Sequence, residues 1–308
     1  MVQNTEMAVL NNRLSTTANE VEHRLMAMLS QHTGPDLPAR LDAAIRHALL
    51  NGGKRIRPFL ALESANIFDV PPEQPWPTAL ALELVHSYSL VHDDLPDMDN
   101  DALRRGKPTV HVAFDPATAI LTGDALLTLA FDLMAHPSPD LDPAVQLQLI
   151  RGLGKAAGWQ GMIAGQLYDL ASEGRFARPH ATGADEVRNI QRLKTGALLR
   201  FACEVGPILA AAAPEEGTAM QRYGDRIGLV FQIQDDILDR TASAEQMGKA
   251  TGKDHAAGKA TFVDLHGLDG ARQLAAQLVV EAQAELQPFG TRAQGLMALA
   301  QFIAHRRN

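Results

Sequence analysis

Apolar residues along this chain recur at spacings of three and four over most of its length, and almost nowhere do they alternate. The first period lays a stripe down one side of a helix, whereas alternation marks a half-buried strand. The segment LPARLDAAIRHALLNGG carries both the stripe and its stop, since Gly52 and Gly53 follow the last periodic residue. The spacing predicts helices at about 6–31, 37–50, 57–69, 76–94, 116–135, 143–171, 184–212, 215–240, 268–286 and 291–305. Between them lie HTGPD, NGGKRIRP, DVPPEQPWP, HPSPDLDP, SEGRFARPHATGAD and the longer TASAEQMGKATGKDHAAGKAT. None of these is a flexible linker long enough to divide domains, and no fixed period repeats. The expected fold class is all-α, a single helical bundle domain over residues 1–308.

Composition narrows this only a little. The 308 residues are 46% hydrophobic and 21% charged, enough for a large core and against disorder. A net charge of −8 gives no basic stripe, so no nucleic-acid partner is expected. Cys203 is the only cysteine, which excludes an internal disulfide framework and a cysteine-built zinc site. The first twenty residues lack a basic start followed by an apolar run, and no uninterrupted apolar stretch reaches the roughly 20 residues of a membrane span. A cytoplasmic protein with no membrane span is the expectation.

Charge enters where it is least expected. LVHDDLPDMDNDALRRGKPT sets Asp93, Asp94, Asp97, Asp99 and Asp101 in one short run behind an apolar helix, and IGLVFQIQDDILDR sets Asp235, Asp236 and Asp239 in another apolar neighbourhood. Taking carboxylates out of water side by side is costly unless they are paired or bind a metal. Asp235 and Asp239 are four apart and share a helix face. Taken alone, that pattern is equally an exposed acidic ridge. Asp93 and Asp99 are about 240° apart on an ideal helix and meet only if the helix ends between them, for which Pro96 supplies a reason. Two facing carboxylate clusters suit magnesium, which takes one or two carboxylates, keeps waters and completes its shell with phosphate oxygens.

The bases then fit the same picture. Lys54 and Arg57 follow a helix end, Arg104 and Arg105 follow the first acidic run, Lys194 and Thr195 sit in RLKTG, and Lys249, Lys253 and Lys259 lie in the long loop. Singly each is an ordinary surface base. Together with the acids they form candidate clamps for a metal-bridged polyphosphate.

In order along the chain, GGKRIRP, HDDLPDMDNDALRRGKPT, GQLYDL, KTGAL, FQIQDDILD and GKATGKDHAAGKAT resemble the motif set of the trans-isoprenyl diphosphate synthases, most closely the bacterial farnesyl diphosphate synthases. The resemblance implies a bundle with a central active-site cavity, three magnesium ions per site (manganese as a possible substitute) and a homodimer. It implies that isopentenyl diphosphate adds head-to-tail, 1′-4, to dimethylallyl or geranyl diphosphate and that pyrophosphate leaves. By motif position Asp93 and Asp99 bind metal, with Asp94 in the same cluster. Asp235 takes the third ion, supported by Asp236 and Asp239. Arg104, Lys194, Thr195, Gln232, Lys249 and Lys259 hold the allylic diphosphate or lie beside its cleaving bond. Lys54, Arg57, His86 and Arg105 hold isopentenyl diphosphate without metal. Gln166 and Asp169 line the cavity, Asp169 through metal-bound water. Asp97 stands where bacterial relatives usually have a small residue, and Asn100 and Ala102 replace acids common among them.

Such a reaction needs no protein nucleophile, and the chain offers neither a G-x-S-x-G elbow nor a Cys/His pair. The glycine-rich loop with its lysines reads as a lid. Tyr88 lies five residues before Asp93, about 7.5 Å back along the helix. With Ser89 it is placed to floor the prenyl tail at fifteen carbons, so (2E,6E)-farnesyl diphosphate is the expected product. Geranylgeranyl diphosphate is the alternative, since MDND also occurs in synthases of that product. A class I terpene cyclase has no use for GGKRIRP, and a non-catalytic synthase subunit is expected to have lost an acidic cluster. GLGKAAG and AAGKAT match nucleotide-binding loops only in part. Cys203, Trp76 and Trp159 are read as packing and His92 as packing beside the acids; the terminal HRRN is expected to be surface tail, the alternative being that it helps close the isopentenyl diphosphate site.

Overall fold

Helix ends, more than helix interiors, place the chemistry of this molecule. The computed structural model describes residues 2–31, 36–176, 183–241 and 261–306, with side chains from residue 7 onwards. Four helices come first, α1 (Val2–Gln31), α2 (Ala39–Leu49), α3 (Ile56–Ile67) and α4 (Trp76–Asp93). A two-residue hairpin, β1 (Leu103–Arg104) against β2 (Lys107–Pro108), and a single turn, α5 (Val110–Ala113), lead to α6 (Pro116–Ala135), α7 (Pro143–Ala157) and α8 (Met162–Ser172). The second half holds α9 (Ala184–Gln191), a π turn (Arg192–Gly196), α10 (Ala197–Leu209), α11 (Pro214–Thr241), α12 (Phe262–Glu285), a 3₁₀ segment (Gln287–Ala293) and α13 (Gln294–His305).

The all-α expectation holds, with four corrections. The helix expected over 143–171 is two helices, because Gly158 and Gly161 leave helical backbone angles between them. That expected over 184–212 is interrupted by the π turn. The last-but-one helix starts at Phe262, where Thr261 and Asp264 close a reciprocal capping box, and it kinks at Gly267. The hairpin and α5 fall in a stretch too short and polar to show a period.

Caps explain most starts. The Asp115 side chain accepts from Thr118 N–H and Asp142 from Ala144 N–H, each just before a proline at the first helical position. The apolar stripes meet in one large core. Helix α4 is buried along most of its length between α3 and α6, and α10 packs on α3 and α11. At the α3–α10 crossing Ser64 Oγ donates to Cys203 O at 2.6 Å and accepts from Gly206 N–H at 3.0 Å. Cys203 is fully buried, as expected of a small core residue. Among the described residues α6 alone is long and apolar enough to cross a membrane, by length and composition. It packs against α4, and Asp124 and Asp132 lie on it.

Candidate active site

Helix α4 stops at Asp93 and the chain turns back on itself. Asp99 N–H donates to Asp93 O at 2.8 Å, Asn100 N–H to Leu95 O at 3.0 Å and Asp101 N–H to Asp94 O at 3.2 Å. Asn100 takes a left-handed φ of 50° to make the reversal. The turn cancels the angular separation of Asp93 and Asp99 and brings the two acids together. Burial, with Asp99 as a like-charged neighbour and despite the pull of Lys194, pushes the Asp93 carboxyl up to about 6. Asp94 is buried and does not share that face. Arg104 grips it, Nε and Nη2 donating to Oδ1 at 2.8 and 2.6 Å. Burial works against the Arg104 charge, but the Asp94 bond and charge outweigh it and raise its pKa. Asp94 thus anchors Arg104 instead of joining Asp93 and Asp99. Asp97 is exposed at the tip of the turn.

The hairpin explains how adjacent arginines serve two sites. Arg105 and Gly106 both have positive φ, at 54° and 77°, so the chain reverses between Arg104 and Lys107. Arg105 leaves in the opposite direction and donates from Nη1 to Gly52 O. A Cβ on Gly53 would lie 2.6 Å from that guanidinium, so this glycine opens the space it occupies. Arg55, with a φ of 49°, is buried, where Nη1 pairs with Glu83 and Nη2 donates to Leu49 O at 2.6 Å. That turn sends Lys54 and Arg57 elsewhere. Burial, against the pull of Glu83, brings Arg57 down to about 10, and its buried Nε has no hydrogen-bond partner. His86 is driven well below its ordinary value by burial and then by Arg57, Arg105, Arg104 and Arg55. Lys54, lowered by burial and by Arg306, lies over the Phe302 ring at 5.3 Å. Arg57, His86 and Arg105 therefore lie within electrostatic reach of one another, and Lys54 lies on the Arg306 and Asp235 side.

The opposite wall is built on the π turn. RLKTG widens the helix by one residue, a device common at functional sites, and Lys194 Nζ donates to Asp169 Oδ2 at 2.6 Å. A Cβ on Gly165 would lie 2.1 Å from Lys194 N, so the glycine of GQLYDL is what lets α8 approach. Gln166 faces inward with a buried Nε2 that has no partner. Thr195 Oγ1 donates to Gln232 Oε1 at 3.3 Å, and Gln232 lies one turn before Asp235 and Asp236 on α11. Asp236 does not support Asp235. It is buried, accepting from Gln232 Nε2 at 2.9 Å and from Phe262 N–H at 2.8 Å, and so holds the start of α12. Asp235 is half-buried and pairs with Arg306.

Arg306 corrects the reading of HRRN as surface tail. Its guanidinium stacks 3.8 Å over Phe231, donates to Phe231 O at 3.1 Å and meets Asp235, while Gln234 Nε2 donates to its carbonyl at 2.9 Å. A basic residue after an apolar helix was the only sign of this in the sequence. Trp159 is also corrected, being 83% exposed, whereas Trp76 packs under Arg24 at 4.2 Å as expected. His92 packs as read, its ring against Gly123 and its Nε2 3.0 Å from Ile120 O. Tyr88 is buried, pushed up to about 12 by burial and by Asp93, and its hydroxyl has no partner. Ser89 Oγ turns back to His86 O at 2.9 Å. Lys249, Lys253 and Lys259 lie outside the described residues.

Among the described residues no three acidic or histidine side chains converge as a ready-made metal cage. The donors are all carboxylate oxygens, and burial, with Asp99 as a like-charged neighbour, raises Asp93. That set fits magnesium drawing its other ligands from water and phosphate, and it fits no softer metal.

The sequence matches the polyprenyl synthetase family over residues 38–287. The chain belongs to that family. It is a prenyltransferase of the trans-prenyl synthase kind. It is 40% identical over 270 residues to a farnesyl diphosphate synthase of Geobacillus stearothermophilus, covering 87% of this chain and 89% of the relative. It is 42% identical over 273 residues to geranylgeranyl pyrophosphate synthase 9, chloroplastic, of Arabidopsis thaliana, covering 88% and 75%. A solved FPP/GFPP synthase from Zymomonas mobilis superposes with a TM-score of 0.85 at 40% identity, over 97% of this chain and 99% of that one. A geranyltransferase from Helicobacter pylori, solved with magnesium and isoprenyl diphosphate, gives 0.77 at 32% identity, over 95% of each.

Proposed function

We propose that this single catalytic domain condenses isopentenyl diphosphate with dimethylallyl and then geranyl diphosphate, releasing pyrophosphate and ending at (2E,6E)-farnesyl diphosphate. The observation that carries the reading is a closed ring of charge. Asp93 feels Lys194 and Arg104, the two arginines of the hairpin reach the His86 cluster, and Arg57 and Lys54 feel Asp235. Gln232 and Thr195 then lead from α11 back to Lys194 and Asp169.

Each part of the ring has a task. Asp93, Asp99 and Asp235 are the residues that would hold magnesium, three ions in all. Bound there, magnesium supplies charge that stabilises a departing diphosphate. Arg104, held rigid by Asp94, and Lys194, held by Asp169, place fixed positive charge where the C1–O bond of the allylic substrate breaks. Lys54, Arg57 and Arg105 hold the second diphosphate without metal. His86, neutral among arginines, offers the diphosphate one ring N–H as a hydrogen-bond donor, so it orients without adding charge. The C4 double bond then attacks the allylic C1, and the proton lost from C2 goes to the departing pyrophosphate. Tyr88, buried with a dry hydroxyl beside Asp93, supports a floor below the tail.

A homodimer is part of the reading. Ile120 and Leu121 of α6, Ile163 and Leu167 of α8 and Trp159 between α7 and α8 leave apolar surface exposed. A second copy of the chain would cover it.

Incubation with magnesium, isopentenyl diphosphate and geranyl diphosphate, followed by mass analysis of the dephosphorylated product, tests the product length. Farnesol is expected from the native chain and longer alcohols from Tyr88→Ala. Geranylgeraniol from the native chain would remove Tyr88 as the floor and leave the chemistry standing.

A further inference from the structure

One guanidinium outside the ring is placed to control it. Arg175 follows α8 and reaches back across the molecule to the turn between Asp93 and Asp99. Its Nη1 donates to Asp97 O at 2.7 Å and its Nη2 to Met98 O at 2.5 Å, while Glu173 accepts from Nε at 2.9 Å and fixes the plane of the group. A guanidinium fork on two successive carbonyls defines both the height and the tilt of a peptide segment, which one bond cannot do. The turn's own backbone bonds, to Asp93, Asp94 and Leu95, all lie on its helix side. Arg175 satisfies the outward carbonyls, on residues immediately before Asp99.

Its origin matters as much as its target. It extends from just past the C-terminal end of α8, the helix that carries Gln166 and Asp169, the partner of Lys194. The fork therefore ties the turn that carries Asp99 to the opposite wall. The geometry points to Arg175 as a positioning residue that sets where the Asp99 carboxylate stands relative to Asp93 and Asp169, and so sets the metal affinity of the first acidic cluster. This rests on the reading of Asp93 and Asp99 as metal ligands. Arg175 is not among the residues assigned above to either diphosphate. Its side chain is 38% exposed, so its loss removes the clamp without opening the core.

The full chain carrying Arg175→Gln, Arg175→Lys or Asp99→Asn tests this by calorimetric titration with manganese in the presence of inorganic pyrophosphate. Arg175→Gln is expected to raise the metal concentration at half-saturation about three- to tenfold, and Arg175→Lys, which keeps one carbonyl contact, to raise it less. In turnover, excess magnesium should restore kcat of the Gln variant, and KM for isopentenyl diphosphate should stay at the native value. Native metal affinity in Arg175→Gln would overturn the inference. So would a kcat loss that magnesium does not restore, or a parallel rise in isopentenyl diphosphate KM, since both describe a general structural prop. If Asp99→Asn also binds metal like the native protein, the ligand reading itself falls and takes the inference with it. A weakened Asp99→Asn beside an unaffected Arg175→Gln sinks the Arg175 role alone.

Discussion

The two acidic regions solve the same electrostatic problem in opposite ways. At the end of α4 the chain breaks, folds back and presses Asp99 against Asp93, while the neighbouring Asp94 is spent on Arg104. On α11 the helix runs straight through, Asp236 caps another helix, and Asp235 is paired by Arg306 from the far end of the described chain. The first region keeps two like charges together beside cations already bound to other acids, Lys194 to Asp169 and Arg104 to Asp94; the second has a guanidinium paired with its leading carboxylate itself. A like-charged pair gains most from a cation, whereas a paired carboxylate must first give up its partner. The motifs look alike in sequence, yet their readiness for metal differs because one is built by a turn and the other by a helix face.

Removing either side should break the comparison outright. Asp93→Ala and Asp235→Ala are each expected to lower turnover by about a thousandfold or more, with thermal melting close to the native value, since neither side chain belongs to the core. Full activity in either variant would falsify the metal-site reading. Arg306→Gln sharpens the contrast instead. With Asp235 released, metal binding at the second region should tighten by about two- to fivefold in titrations with pyrophosphate, and the first region should be unchanged. An unchanged titration would mean that the Arg306 pair does not compete with metal.

The smallest effect is on pH. His86 is neutral in the fold among four arginines, so on acidification the unfolded chain takes up a proton that the folded chain refuses. Stability should therefore decline as pH falls through about 6.5, the ordinary imidazole value, and level off below the folded value. His86→Asn should flatten that part of the profile, as measured by chemical denaturation at several pH values.

The helical course and the acids of the site were legible in the sequence because both depend on short-range pattern. Helix stripes repeat every three or four residues, and carboxylates in apolar runs stand out wherever they fall. What could not be read depends on direction. Asp93 and Asp94 are neighbours of one type, yet the last turn of α4 points one at Asp99 and the other at Arg104. Asp235 and Asp236 part in the same way. Arg175 was invisible as a site residue, and Arg306 read more readily as tail, because their partners lie about 70 or more positions away. The π turn left no mark either, since RLKTG continues a helical pattern and its widening follows from Gly165 and Gly228 letting other helices close in.

The crossing of α3 and α10 has a consequence for how the molecule comes into being. Ser64 meets Cys203 and Gly206 across 139 and 142 residues of chain. Closing a loop of that length comes late relative to local helix formation, because its entropy is lost before any contact rewards it. Arg57 opens α3 and Lys194 stands just before α10, so the two diphosphate-facing walls find each other only as this crossing forms. A growing chain carries the first acids and the isopentenyl-side cations well before α10 and α11 exist. It therefore exposes cations and carboxylates, but no pocket, until the second half arrives, and substrate cannot template the early steps of folding.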